Sequence, residues 1–72
     1  MFTYDHGLTE PEQLIGLRIE VPVHIDAWMQ GARFGVCTRV ADKDFVLVKM
    51  DNPKVRTLRL ERGDIPFMRV DI

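Results

Sequence analysis

The sequence predicts an all-β fold, a small antiparallel barrel of five strands preceded by a short helical turn. Residues 17–21 alternate strictly between apolar and charged side chains, which is typical of a half-buried strand. Gly31 and Gly35 lead into a second strand, as expected where a short sheet bends sharply to close on itself. Residues 51–54, Asp-Asn-Pro-Lys, form a turn between two further apolar runs.

The length of the chain, 72 residues, allows one domain with a small core. We divide it into a lead-in, residues 1–16, and a barrel, residues 17–72. No run of about 18 apolar residues is present, so the sequence predicts no transmembrane helix. Residues 1–6 lack the basic and apolar regions of a signal peptide, and the lone Cys37 favours a reducing compartment, so we expect a cytoplasmic protein.

The lead-in contains the one helical pattern. Residues 9–12, Thr-Glu-Pro-Glu, match a capping box, and we expect at most two helical turns that end at Gly16. Leu14 and Ile15 are expected to plug one end of the barrel. Residues 1–8 are expected to be loosely held.

A long connection joins the first two strands. Leu17, Ile19 and Val21 share one face of the first strand, which Pro22 borders. Residues 23–32 are more apolar than a solvated loop needs to be, so we expect them to fold back over the barrel. The second strand covers about residues 33–40, and one of its faces carries Phe34, Val36, Thr38 and Val40.

The third strand, residues 45–50, gives the clearest assignment of faces. Lys49 should point to water, which places Phe45 and Leu47 on the same outer face, because side chains alternate along a strand. The opposite face then carries Val46, Val48 and Met50. The outer apolar pair needs cover, either from the long loop or the N-terminal segment, or from a second copy of the chain in a two-fold dimer.

Two more strands complete the predicted barrel. Residues 55–60 form the fourth, with Leu58 and Leu60 on one face. Residues 61–65 have the length of a tight 3₁₀ turn, and residues 66–70 form the last strand. Three side chains are expected to be buried: Val36, Val48 and Leu58.

Charge is unevenly distributed along a chain whose net charge is −1. Residues 1–26 carry five acidic side chains and one arginine, whereas residues 27–72 carry nine cations and six acidic side chains. The first part is therefore at −4 and the second at +3. This division produces a positive face if the two parts lie apart, and a neutral surface if they fold against one another.

A set of cations lies on the polar faces of three consecutive predicted strands: Arg39, Lys49 and Arg59. Phe45 and Leu47 share that face. Cations pair with phosphates and an aromatic ring stacks with bases, a combination suited to single-stranded nucleic acid. The alternative is that these cations pair with the acidic N-terminal segment or with Glu20.

Trp28, the only tryptophan, lies in the connection between the first two strands. A ring of that size can cap one end of a small core, or it can belong to a surface that binds a ligand or partner. We keep both interpretations. The candidate surface residues are Arg39, Lys49, Arg59, Phe45, Leu47 and Trp28.

No arrangement of residues predicts catalysis or a cofactor. One cysteine and two histidines, His6 and His24, do not make up a zinc site. Cys37 has no residue at a suitable spacing to act as its base. Asp42 and Asp44 are typical of a hairpin turn, and no glycine-rich loop is followed by Lys-Ser or Lys-Thr. We therefore predict no catalytic site, no metal site and no cofactor.

The predicted order of elements is strand, long loop, strand, hairpin, strand, hairpin, strand, short turn, strand. It is similar to that of SH3-like small barrels over residues 16–70. The run from Gly35 to Val40 resembles the glycine-led strand of KOW domains in ribosomal proteins and elongation factors, although their earlier glycine stands one residue closer than Gly31. The Trp-Met-x-Gly-x-x-x-Gly-x-Val stretch that begins at Trp28 resembles short uncharacterised bacterial and phage proteins.

The chain also resembles the plasmid-borne type II dihydrofolate reductases, which are short SH3-like chains. Leu17-Arg18-Ile19, Trp28 with Gly31, and Asn52-Pro53 follow one another in the order of that family. A Val-Gln-Ile-Tyr motif of those enzymes lines a central pore in a tetramer. Thr57-Leu58-Arg59-Leu60 occupies this region here, without the glutamine or the tyrosine, so the resemblance does not carry the reductase activity over.

Three functions of different classes follow from these observations. We favour a non-enzymatic module that binds a macromolecule, RNA, DNA or protein, with nucleic acid ahead. The second is a protein–protein adaptor or homodimer that uses Phe45, Leu47 and Trp28 as anchors. The third is an enzyme whose site assembles between subunits, as the likeness to the type II reductases implies. Salt dependence separates the first two, because phosphate binding weakens steeply with salt.

Overall fold

A computed structural model describes residues 1–72 as one antiparallel sheet with three short helical elements. The strands are β1 (Phe2–Thr3), β2 (Arg18–Glu20), β3 (Phe34–Ala41), β4 (Phe45–Met50), β5 (Thr57–Glu61) and β6 (Arg69–Asp71). The helical elements are a first 3₁₀ helix (Pro11–Leu14), the helix α1 (Asp26–Met29) and a second 3₁₀ helix (Arg62–Phe67). None of these helices has the length and apolar character that crossing a membrane requires.

The strand order is β1-β6-β2-β3-β4-β5, and each neighbouring pair is antiparallel. The sheet curls into a half-barrel around one core, to which the first and second 3₁₀ helices each contribute a residue. The buried apolar residues are Leu14, Ile19, Val21, Ala32, Cys37, Val46, Val48, Met50, Leu60, Ile65, Met68 and Val70. The all-β prediction is confirmed, but five strands is wrong, because β1 adds a sixth beside β6.

The first eight residues are held by distant partners, contrary to the expectation of a loose segment. The Phe2 ring packs against Phe34, with 5.3 Å between the ring centroids. His6 is bound through both ring nitrogens: Nε2 donates to the Met68 carbonyl at 3.1 Å, and Nδ1 accepts from the Leu8 N–H at 3.0 Å. Phe34 and Met68 are distant in the sequence from the residues that they contact, so no local sequence pattern predicts that this segment is held in place.

The lead-in helix forms where predicted, with its cap one residue later than the pattern of residues 9–12. The side-chain oxygen of Gln13 accepts a hydrogen bond from the Glu10 backbone N–H at 2.9 Å, which satisfies a donor at the start of the helix. Leu14 is fully buried and plugs the core as expected. Ile15 does not, since 43% of its surface is exposed.

The first half of β3 has its faces reversed relative to the prediction. Gly35 lies on the inner face, and Phe34 and Val36 lie on the outer face. A Cβ at Gly35 would lie 2.6 Å from the Lys49 carbonyl oxygen and 2.8 Å from Cγ1 of Val48. Only glycine allows β3 and β4 to approach so closely, and its larger neighbours therefore face outwards.

A β-bulge at Thr38 restores the predicted orientation in the second half of β3. The pairing with β4 shifts register between Cys37 and Arg39, so Thr38 is the extra residue, and its hydroxyl donates to the Leu47 carbonyl at 3.2 Å. After the bulge, Arg39 lies on the outer face and Val40 on the inner face. Arg39 thus has its predicted orientation because of a bulge that strict alternation does not contain.

The strand β4 matches its prediction in both extent and faces. Val46 and Val48 are fully buried on the inner side. On the outer side Lys49 is exposed, while Phe45 and Leu47 are half-buried. Alternation alone assigns this strand correctly because it pairs on both sides and its inner face meets the core.

Of the three side chains expected in the core, only Val48 is buried. Val36 is half-buried because it lies on the outer face of β3. Leu58 faces inwards from β5, but β5 is an edge strand and leaves it half-buried. Leu60, on the same face of β5, is fully buried.

The connection between β2 and β3 folds back over the core as predicted. Trp28 packs against the core, and the Arg33 guanidinium lies over its ring, 3.5 Å from the centroid. Gly31 has a φ of 96°, and its carbonyl accepts a hydrogen bond from the Asn52 side chain at 3.2 Å. Trp28 therefore covers part of the core, and Asn52 ties this connection to the β4–β5 turn.

Arg62 joins three segments that are distant in the sequence. Its guanidinium pairs with Glu10 in the lead-in and with Asp44 in the β3–β4 hairpin, the latter at 3.3 Å. It also donates to the Lys43 carbonyl at 3.1 Å. The lead-in, the hairpin and the second 3₁₀ helix are thereby fixed relative to one another.

The second 3₁₀ helix occupies more of the chain than predicted. It includes Pro66, so the last strand begins at Arg69 instead of Pro66. Its start is capped by Asp64, whose Oδ2 accepts a hydrogen bond from the Glu61 N–H at 3.1 Å. A tight turn is confirmed here, and the proline lies inside it.

Replacing Gly35 with alanine is expected to lower the free energy of unfolding by about 3 kcal/mol, because overpacking at this position meets backbone atoms that cannot move aside. Urea unfolding followed by tryptophan fluorescence measures the change. Gly63→Ala is the matched control, since a Cβ at Gly63 meets no atom within 4 Å and is expected to change stability by less than about 0.5 kcal/mol. Equal midpoints for the two variants would contradict the close approach of β3 and β4.

Candidate nucleic-acid interface

The outer face of β3, β4 and β5 brings together the three cations predicted to share it. Leu47 lies opposite Arg39 on one side and Arg59 on the other, and Lys49 follows two residues along β4. The three cations are exposed, Leu47 is half-buried between Arg39 and Arg59, and Phe45 is half-buried two residues earlier on β4. We call this surface, formed by Arg39, Lys49, Arg59, Phe45 and Leu47, the cationic face.

Arg59 covers the aromatic residue of the cationic face. Its guanidinium lies over the Phe45 ring, 4.0 Å from the centroid, and pairs with Asp42 at 3.2 Å. The cover for Phe45 therefore comes from a neighbouring strand. The N-terminal segment, one of the expected covers, forms β1 at the opposite edge of the sheet.

Arg39 and Lys49 form no ion pair. Glu20, one of the acidic residues expected to neutralise them, pairs with Arg69 instead. The hydrogen bond from that guanidinium holds the pKa of Glu20 below its usual range. Glu10 pairs with Arg62. Two of the three cations on the cationic face therefore have no carboxylate partner.

An open groove of about 500 Å³ lies at the end of β4 and extends the cationic face. Its cations, Lys49 and Arg56, form no ion pair. Its one carboxylate, Asp51, accepts hydrogen bonds from Arg18 at 2.6 and 3.4 Å, and this holds the pKa of Asp51 below its usual range. The residues that line the groove are Thr38, Lys49, Met50, Asp51, Pro53, Arg56 and Thr57.

Arg56 is a candidate functional residue that the sequence interpretation missed. It falls at the beginning of the predicted strand of residues 55–60 and lies just before β5 in the structure. The Met50 N–H donates to the Arg56 carbonyl at 2.9 Å, which fixes its backbone at the groove. The signal that could have identified it is the alternation Lys54-Val55-Arg56, which places two cations where the turn meets the next strand.

Trp28, the sixth candidate surface residue, is separate from the strands of the cationic face. It belongs to α1, and its ring is sandwiched between the core and the Arg33 guanidinium. The Arg33 Nε also donates to the Trp28 carbonyl at 3.1 Å. These contacts favour the interpretation of Trp28 as a lid over that of a binding residue.

Residues with catalytic or metal-binding chemistry are dispersed over the fold. The His24 Nε2 lies 3.3 Å from Asp64, and His6 is bound at the N-terminal segment. Asp42 and Asp44 each pair with an arginine beside the hairpin. No group of three or more histidine, cysteine or acidic side chains is arranged to hold a metal ion.

No protein-family model, curated protein or solved structure matches this chain. The chemistry of the cationic face and the groove follows from their own residues: unpaired cations, hydroxyl groups and a stacked aromatic ring.

Cys37 is expected to be unreactive in the folded protein. It lies on the inner face of β3 with 1% of its surface exposed, and burial raises the pKa of its thiol to about 12. The thiol therefore stays protonated in mildly alkaline buffer, and iodoacetamide is expected to modify it only when the chain is unfolded in urea. Mass spectrometry of the native and unfolded protein measures this. Native alkylation as fast as that of the unfolded chain would contradict the assignment of Cys37 to the core.

Proposed function

We propose that the chain is a non-enzymatic SH3-like module that binds single-stranded nucleic acid on its cationic face. The observation that supports this most is the pair of exposed cations, Arg39 and Lys49, which lie on adjacent strands and have no carboxylate partner. Ions of this kind attract phosphates, and the apolar residues between them contact the rest of a nucleotide.

The SH3-like assignment is supported by the order of the elements. From β2 onwards the chain follows strand, long connection, strand, hairpin, strand, turn, strand, 3₁₀ helix, strand. The added strand β1 pairs outside this set, at the free edge of β6. The absence of glutamine and tyrosine in Thr57–Leu60 favours a binding module over an enzyme similar to the type II reductases. A reducing compartment, the cytoplasm, suits the free thiol of Cys37.

The stack of Arg59 on Phe45 supplies a flat surface between the cations. Bases stack on guanidinium planes as well as on aromatic rings, and the ring beneath keeps the guanidinium in place. Asp42 holds the same guanidinium from the side. In this proposal the phosphates pair with Arg39 and Lys49 while a base stacks on Arg59. Such binding is tolerant of sequence, because every base has a face that can stack.

Binding of a fluorescein-labelled oligothymidylate, followed by fluorescence anisotropy, tests the proposal. We expect the affinity to fall steeply between about 50 and about 200 mM salt. Replacing both Arg39 and Lys49 with glutamine should lower the slope of log Kd against log salt by about 1.4, at roughly 0.7 for each phosphate contact on a single strand.

Lys43→Gln combined with Lys54→Gln is the matched control for this experiment, because it also removes two exposed cations that form no ion pair. It should leave the slope nearly unchanged. An equal loss in the control and in the Arg39 and Lys49 variant would reduce the effect to net charge. No binding at low salt would overturn the proposal.

Self-association through the same face is the outcome expected if Phe45 and Leu47 are covered by a second copy of the chain. Sedimentation velocity at tens of micromolar then gives a dimer for the parent and a monomer for Leu47→Lys, because a charge at the centre of an apolar contact disrupts it. A monomeric parent would contradict this second prediction. The structure favours it less than nucleic acid, since both residues are half-buried within one chain.

A further inference from the structure

The groove at the end of β4 contains hydrogen-bond donors that no group of the protein uses. Neither the Lys49 ammonium nor the Arg56 guanidinium donates to any group in the chain, and the Thr57 hydroxyl has no partner. Lys49 and Thr57 lie opposite each other in the β4–β5 pairing, so their side chains emerge on the same side of the sheet. Arg56 precedes Thr57 and lines the same groove.

The carboxylate of the groove is already neutralised. Both oxygens of Asp51 accept from Arg18, which approaches from β2 and is not part of the lining. Arg18 is therefore the cation that pairs with Asp51, and neither Lys49 nor Arg56 does. Two cations and one hydroxyl remain, a set of donors that matches the oxygens of a phosphate group.

We infer that this groove is a phosphodiester subsite, in which Lys49, Arg56 and Thr57 bind one phosphate of a single strand that lies on the cationic face. The inference rests on the proposed function and adds Arg56 and Thr57 to its residues. Lys49 belongs to both surfaces and connects them. The strand then runs from Arg39 past Lys49 towards Arg56, along the direction of β4.

The subsite reads the backbone and not the base. The remaining lining residues of the groove are Pro53, which is exposed and can contact a sugar, the buried Met50, and Thr38, whose hydroxyl proton is already donated to Leu47. No amide side chain lines the groove, and in this proposal the phosphate uses the donors of Lys49, Arg56 and Thr57, so none of them is left to contact base edges. Oligothymidylate and oligoadenylate are therefore expected to depend on Arg56 to the same extent.

The experiment compares Arg56→Gln and Thr57→Val with Lys54→Gln. Lys54 is an exposed cation in the same turn that forms no ion pair and does not line the groove, so it matches Arg56 in charge and position. We expect about tenfold weaker binding of oligothymidylate for Arg56→Gln, because a charge-assisted hydrogen bond is lost, and less than about twofold for Lys54→Gln. Thr57→Val should weaken binding by a few-fold without a change in salt slope, since it removes no charge.

A second measurement separates the subsite from the proposed function. Inorganic phosphate, titrated against chloride at equal ionic strength, should shift the backbone amide NMR signals of Lys49, Arg56 and Thr57 in the parent and not in Arg56→Gln. Oligothymidylate binding that depends on Arg39 but is equally affected by Arg56→Gln and Lys54→Gln would overturn the subsite and keep the proposed function. Phosphate shifts in a parent that binds no oligonucleotide would overturn the proposed function and leave a site for free phosphate.

Discussion

The close approach of β3 and β4 at Gly35 is the constraint on which the rest of the sheet depends. With no side chain at Gly35, the Lys49 carbonyl oxygen and Cγ1 of Val48 lie 2.6 and 2.8 Å from the position that a Cβ would take. Because Gly35 takes the inner position, Phe34 lies on the outer face. The Phe2 ring packs against it there and helps to hold β1 in the sheet. One missing side chain thus decides the faces of β3 and contributes to the placement of the N-terminal segment.

The sequence alone predicts the extent and faces of those strands whose side chains alternate without interruption. The extent and faces of β4 follow from its alternation, and the β4–β5 turn follows from Asn52, whose side chain accepts a hydrogen bond from the Lys54 N–H at 2.9 Å. Alternation failed in β3, because the inner position belongs to a glycine and a bulge then changes the parity. It also failed for β1, a strand of two residues that exists only through its distant partners.

For the candidate site, sequence reasoning places Arg39, Lys49 and Arg59 on one face, but it does not reveal which of them are neutralised. That distinction depends on where the carboxylates lie in the fold: Asp42 pairs with Arg59, while Glu10 and Glu20 of the acidic N-terminal part pair with Arg62 and Arg69. Surface ion pairs contribute little stability individually. Their effect here is on which cations keep a carboxylate partner: Arg59 has one, and Arg39 and Lys49 have none.

The helix cap at Asp64 has a consequence for the solubility of the fold. The strand β5 is an edge of the sheet, and backbone groups on an open edge are a template for aggregation with other chains. The Asp64 side chain accepts a hydrogen bond from the Glu61 N–H, so this edge donor is already paired. The second 3₁₀ helix then ends β5 after five residues. The opposite edge, β1, is only two residues long. Neither edge offers the long, flat, unpaired run from which amyloid-like stacking grows, and the charged side chains of Arg59 and Glu61 protect the longer edge further.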